Sequence, residues 1–457
     1  MSPHDSYSQR GDLVREPPAT LWGAIPYVGP GFILSASIVG SGELIATTTL
    51  GAEVGFVALW VILFGCLVKV ALQLEFGRHT ILHGTTAIEA LNLMPGPSFR
   101  GIRWSLWWWL AIWPLKLLQM GGIVGAVAAL MVLIVPQVGI VGWSWIMAIL
   151  VAVMVSREGY KGIEHTCILF LALFSILTLI SVAVLQWTPY AITWPQVASG
   201  LELQLPQGAA MLAVIGAFGL TGVGGDEVMQ YTYWLIEKGY AAYTGPPEET
   251  PAWRARARGW IRVMQLDAIL SMVAYTIVTV AFYLLGAAVL HARGEVPAKD
   301  QLVATLQTMY TETLGPWASW IFIAGAWVVL FSTLFSALAA WARTFADALA
   351  HLFGFSFRQA GPRRRAVKLL TWGFAMTWAA IFLVYRDMVT MVFLGGVATT
   401  LLLLLVVVTA VWFRWFDTPR ELAPSWIYDV ALVTSCVSIS LFAIYTAYGV
   451  WRSLQGT

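Results

Sequence analysis

The sequence predicts an all-α polytopic membrane protein of about eleven spans, with the first and sixth helices broken near the membrane midplane. Three observations carry this. The 457 residues are 59% hydrophobic and only 11% charged, against about 25% charge in a typical soluble domain. Apolar segments long enough to cross a bilayer recur from end to end. Two of those segments are interrupted, by Gly40-Ser41-Gly42-Glu43 and by Gly224-Gly225-Asp226-Glu227, at similar places in two similar halves. Lipid cannot satisfy free backbone N–H and C=O groups, so backbone that breaks at membrane depth must line a cavity or be buried in protein.

The expected spans are 21–50, 53–77, 104–134, 138–156, 164–187, 208–236, 264–290, 316–350, 367–385, 388–413 and 426–450. Segments 85–94 and 300–313 read as short surface helices. Segments 240–262 and 355–368 read as polar loops, the first with Arg254, Arg256, Arg258 and Arg262, the second with Arg363, Arg364, Arg365 and Lys368. Residues 1–20 form a polar tail without an apolar stretch of the kind a signal peptide carries.

Charge sorting orients the chain. With the N-terminus in the cytoplasm, 20 of the 26 Lys and Arg residues fall on the inner side, 4 fall outside, and Lys69 and Lys116 lie within spans. This positive-inside bias places the C-terminus outside and the protein in a plasma or inner membrane. Spans one to five (21–187) and six to ten (208–413) form two halves, with 426–450 as an extra helix. An odd number of spans per half makes the halves run in opposite directions, the inverted repeat of alternating-access carriers, whose substrate sites sit between broken helices.

Other features read blandly. Cys66, Cys167 and Cys436 lie in apolar runs without metal or disulfide spacing and are expected to be inert. Trp104, Trp107, Trp108, Trp109 and Trp113 suit an interfacial belt or packing between helices. Arg343 and Asp347 are four apart and are expected to pair. Lys69 is expected to snorkel toward the inner surface. No phosphate-binding loop or nucleophile motif is present, so neither an enzyme nor an ATP-driven pump is expected, and nothing calls for nucleic acid.

Several stretches resemble the Nramp family of divalent-metal transporters: Gly29–Trp60 with that family's first two helices, Tyr160-Lys161-Gly162-Ile163-Glu164, Ile215-Gly216-Ala217-Phe218-Gly219, Leu266-Asp267, Leu284–Gly294 and Ser332-Thr333. The resemblance implies a LeuT-like fold. The departures fall at the site. Where the family has Asp-Pro-Gly-Asn, this chain has Gly40, Ser41, Gly42 and Glu43; where it has Met-Pro-His, this chain has Val223, Gly224 and Gly225. A third-helix Asp and Glu associated with proton movement appear as Lys116 and Gln119, which makes these the expected coupling or charge-compensating positions.

The expected substrate site is therefore Gly40, Ser41, Glu43, Thr221, Gly224, Asp226 and Glu227, with Glu43, Asp226 and Glu227 as metal-binding carboxylates. Losing a sulfur ligand and gaining carboxylates favours hard ions such as Mg²⁺ or Mn²⁺. Adjacent helical residues point about 100° apart, so one of Asp226 and Glu227 is expected to face the cavity. Lys116 either pairs with a carboxylate, charges and discharges through the cycle, or snorkels. The implied substrate is a divalent cation, with no resident cofactor. The alternative is a small organic cationic or zwitterionic solute held on the same fold. Membrane lipid is the other expected partner, and a monomer is compatible with everything above.

Overall fold

The computed structural model describes residues 6–7, 13–40, 42–206, 210–297 and 302–454. It is helical apart from a two-residue antiparallel pairing of Ser98–Phe99 with Ile102–Arg103. Among the described residues, nine helices are long and apolar enough to cross a membrane, from Leu59–His83 to Trp426–Tyr445. Two further elements are split. Pro30–Ile38 is followed by wide π-type turns at Gly42–Thr47 and a helix at Thr48–Val54. Ala210–Leu220 is separated from Gly225–Lys238 by four non-helical residues. This is an integral membrane protein.

The split elements lie inside the bundle. Pro30–Ile38 and Gly225–Lys238 are almost wholly buried, packed on Pro251–Leu285, Ala318–Phe353 and each other. Trp104–Ile134 makes its most extensive contact with Met388–Trp412. Beside that seam the expected tryptophan group divides. Trp109 and Trp113 are buried and meet Trp341 and Phe345 edge-on or tilted, whereas Trp108 stays exposed. The three cysteines are buried and unbridged.

Several sequence expectations change. The first expected span is bent as well as interrupted, since the helical segment Leu21–Tyr27 meets Pro30–Ile38 at 62°. The arginine-rich stretches are helical, not looped. Thr250 caps a helix that opens at Pro251 and carries Arg254 to Arg262, and Ala360–Tyr385 carries Arg363 to Lys368. Arginine and alanine are strong helix formers, and proline suits the first helical turn, so polarity here marks a helix leaving the membrane. The short helices Ala87–Leu93 and Leu302–Leu314 are half sunk into the bundle, with Ile88, Leu91, Leu306 and Met309 buried.

The expected Arg343–Asp347 pair does not form. Arg343 grips Glu237 at 2.6 Å, and Asp347 accepts from Tyr233 at 2.6 Å and from Thr86. Buried charges take whichever partners complete their hydrogen bonds, and neighbouring helices supply better ones than the helix's own face. Lys238 pairs with Glu164 at 2.6 Å. Asp267 accepts the N–H groups of Gly29 and Gly31 at 2.7 and 2.8 Å, so it closes the open start of Pro30–Ile38.

Candidate functional site

The first interruption follows Ile38. Val39 leaves helical geometry, and the π-type turns restart the helix at Gly42. Gly42 backs directly onto the Leu220 carbonyl of the second split element, where an added Cβ would sit 3.0 Å from that oxygen. Glycine lets the two breaks touch. Ser41 lies outside the described residues.

Glu43 is fully buried, and its carboxylate turns back on its own break. One oxygen accepts the Gly40 N–H at 3.1 Å; the other accepts the Thr279 hydroxyl at 3.0 Å. The Thr47 and Thr48 hydroxyls cover the carbonyls of Gly42 and Glu43, both at 3.1 Å. The broken backbone is thus satisfied from within, and neither Glu43 nor Gly40 is among the residues that line the cavity described below.

At the second interruption, Gly222 adopts a left-handed φ of +65°, which turns the chain out of helix Ala210–Leu220. The carbonyls of Phe218 and Thr221 are both taken by the Lys69 ammonium, the latter at 2.7 Å. Lys69 is fully buried. It does not snorkel, because the freed C-terminal carbonyls of a half-helix hold a cation more strongly than a long reach to water would. The Thr221 hydroxyl is buried, lies away from the cavity and meets no hydrogen-bond partner among the described residues.

Gly224 then caps helix Gly225–Lys238, with Asp226 and Glu227 in its first turn. Acidic residues in a first turn complement the helix dipole on structural grounds alone. Here both also line an internal cavity of about 30 Å³, against the expectation that only one of the pair would. At a helix start, side chains lean toward and past the N-terminus, so neighbouring residues can reach the same space.

Lys116 stands across that cavity, with its helix bearing Pro114 two residues earlier. Its ammonium lies 3.0 Å from Asp226 Oδ2, 2.6 Å from Gln119 Oε1 and 2.6 Å from Thr399 Oγ1. Three donors meet three acceptors, so the pairing geometry is the one realised and snorkelling is not. The other oxygen of Asp226, Oδ1, is shielded from solvent and meets no hydrogen-bond donor among the described residues.

Ser37, Thr333, Thr399, Met120 and Trp341 complete the wall in ways sequence reasoning did not assign to the site. Thr333 belongs to the family-like dipeptide Ser332-Thr333, and Thr399 sits beside Thr400 in a largely apolar helix. Met120 puts a thioether-bearing residue on a wall that the sequence predicted to be all oxygen. Of the expected site residues, Lys116, Gln119, Asp226 and Glu227 share the cavity; Gly224 lies behind Glu227.

A family model described as Natural resistance-associated macrophage protein-like matches residues 31–449. The chain belongs to the Nramp family. A stretch of 83 residues is 34% identical to Metal transporter Nramp6.2 of Populus trichocarpa, covering 18% of this chain and 15% of that relative's length. Among solved structures, this Nramp chain is similar to a mutant of the Eremococcus coleocola manganese transporter, with a TM-score of 0.63 at 14% identity over 96% of this chain and 98% of the other. It also resembles MhsT in complex with L-phenylalanine, with a TM-score of 0.59 at 16% identity over 94% and 100% of the two chains. A nucleobase-cation-symport-1 family transporter gives 0.58 at 16% identity over 93% of each. The fold is LeuT-like.

Proposed function

We propose that this Nramp protein moves a divalent cation across the membrane by alternating access, with the cavity between its two interrupted helices as the substrate site. The two split elements count as spans one and six of eleven, and the halves 21–187 and 208–413 act as oppositely oriented repeats around the cavity. The N-terminus faces the cytoplasm of a plasma or inner membrane. One observation carries the reading: Asp226 and Glu227 both line a cavity of about 30 Å³, and Asp226 Oδ1 meets no hydrogen-bond donor among the described residues. That space suits one ion or one water, whereas sites for organic ligands usually span about 300–1,000 Å³. The hydroxyls of Ser37, Thr333 and Thr399 and the Gln119 amide oxygen extend a donor set that suits a hard ion such as Mn²⁺ or Mg²⁺.

Lys116 then acts as a tethered counter-cation. It neutralises Asp226 when the site is empty, and an arriving ion competes with the ammonium for that carboxylate. The same ammonium favours a second reading, a small organic cationic or zwitterionic solute whose anionic group Lys116 would hold once the cavity widens. Uptake into proteoliposomes of Mn²⁺, Mg²⁺, Ca²⁺ and Fe²⁺ separates the two. Flux of a hard cation that is lost in Glu227→Gln and kept in Glu43→Gln supports the first. Tight vesicles and folded protein with no flux of any ion would reject it in favour of the organic solute.

A further inference from the structure

A second cluster of side chains of metal-ligating type stands at one end of the Leu59–His83 helix. His79 and His83 are one turn apart on that helix, and both aim Nε2 at the same oxygen, Asp417 Oδ2, at 3.1 and 2.9 Å. Asp417 ends the π-type turn Phe413–Asp417, which continues the Met388–Trp412 helix. The ligating atoms of the three residues lie within 4.8 Å of one another.

The surroundings hold these groups in place. The Phe413 ring stacks on the His79 imidazole at 3.7 Å between centroids. The Thr418 hydroxyl and N–H both donate to the Phe413 carbonyl at 2.8 Å, which fixes the turn that carries Asp417. Thr85 Oγ1 lies 3.3 Å from His79 Nδ1. A threonine hydroxyl accepts as readily as it donates, so the tautomer with Nδ1–H toward Thr85 leaves the Nε2 lone pair pointing at Asp417. His83 Nε2 and Asp417 Oδ2 are shielded from solvent yet satisfy no hydrogen-bond geometry.

We propose that His79, His83 and Asp417 form a transition-metal site of the Zn²⁺ type, separate from the central cavity. Ligand atoms placed tetrahedrally on one ion with bonds of about 2.0–2.1 Å stand ~3.3–3.4 Å apart, so each imidazole, now 3.1 or 2.9 Å from the carboxylate oxygen, has only a short way to open. Two imidazoles and one carboxylate favour Zn²⁺, Co²⁺ or Fe²⁺ over Mg²⁺ and Ca²⁺. Three protein ligands leave an open position for water, the pattern of an exchangeable site. The side chains of His83 and Asp417 keep 31% and 27% of their surface exposed, so the cluster borders solvent although the two ligand atoms themselves are shielded. Arg78, Arg414 and Arg420 place this end on the inner side by the charge rule. An ion here clips the helix carrying Lys69 to the helix carrying Thr399, and those residues hold the second break and the cavity wall.

The test is titration of the purified, detergent-solubilised full chain with Co²⁺, followed by visible absorption and displaced with Zn²⁺. The wild type is expected to give a saturable d–d spectrum that Zn²⁺ abolishes. His83→Gln and Asp417→Asn should each weaken Co²⁺ binding by at least about tenfold, while Glu227→Gln leaves the spectrum intact. Size-exclusion chromatography qualifies each variant, and His83→Gln decides if Asp417→Asn does not fold. No saturable spectrum in the wild type overturns the proposal. So does a spectrum that survives His83→Gln, or one that disappears in Glu227→Gln.

Discussion

At the first interruption the Glu43 carboxylate is used up by the Gly40 N–H and the Thr279 hydroxyl. At the second, Glu227 and one oxygen of Asp226 line a cavity, while the other Asp226 oxygen is bound by Lys116. Both stretches read alike in the chain, as small flexible residues followed by acid. They differ in where their free backbone groups find partners. The first break satisfies itself with its own glutamate and threonines. At the second, Lys69 donates to the free carbonyls of Phe218 and Thr221, and the acids of the following helix start, Asp226 and Glu227, line the cavity. A glycine-acid signature therefore marks a break, and the surrounding helices decide whether the acid is structural or presented.

The largest effect should come from the pair that joins the cavity to its counter-cation. Lys116→Met is expected to destabilise the fold by about 3–5 kcal/mol, since it strands Asp226 in a buried site. Adding Asp226→Asn should recover most of that loss, as measured by denaturant midpoints across the double-mutant cycle. Lys116→Met protein that remains folded should bind Mn²⁺ more tightly than wild type, because one competitor for the carboxylate is gone. A double variant destabilised by the sum of the two single effects would show that the pair is not coupled.

Glu227→Gln comes next, with a loss of Mn²⁺ affinity of about a hundredfold, or about 2.7 kcal/mol. Its unfolding midpoint should stay near that of the wild type. Calorimetry on both proteins reads affinity and stability separately.

Glu43→Ala should show the opposite division. It strands the Gly40 N–H and leaves the Thr279 hydroxyl with the Tyr275 carbonyl alone, for about 1–3 kcal/mol of stability, and changes ion affinity by less than about threefold. If Glu43→Ala lost affinity as heavily as Glu227→Gln, the contrast between the two breaks would fail. Thr279→Val is the mildest test, at about 1 kcal/mol. Its effect should shrink in a Glu43→Ala background, where only the Tyr275 carbonyl remains as a partner.

Much of the architecture was legible because lipid imposes strict rules on a chain. Long apolar stretches and the two glycine-acid interruptions each reflect the bilayer rather than a particular neighbour. The candidate site was legible only in part. Asp226, Glu227, Lys116 and Gln119 stand out as polar residues in apolar surroundings, and the cavity gathers all four. Glu43 stands out in the same way and is drawn elsewhere. Ser37, Thr333 and Thr399 carry hydroxyls that helices commonly satisfy internally, as the Thr399 bond to the Gly395 carbonyl illustrates, so nothing local marks them as wall residues. His79, His83 and Asp417 escaped notice because Asp417 joins the histidines from 334 positions further along than His83.

By itself the sequence determined that the chain lives in a membrane and marked the two glycine-acid stretches at which its helices are interrupted. Those properties depend on composition and order along one segment at a time. The tertiary structure decided which acid faces the cavity, which lysine closes a helix end and which charges pair. A buried charge costs so much that its state is set by whichever groups three-dimensional packing brings within reach.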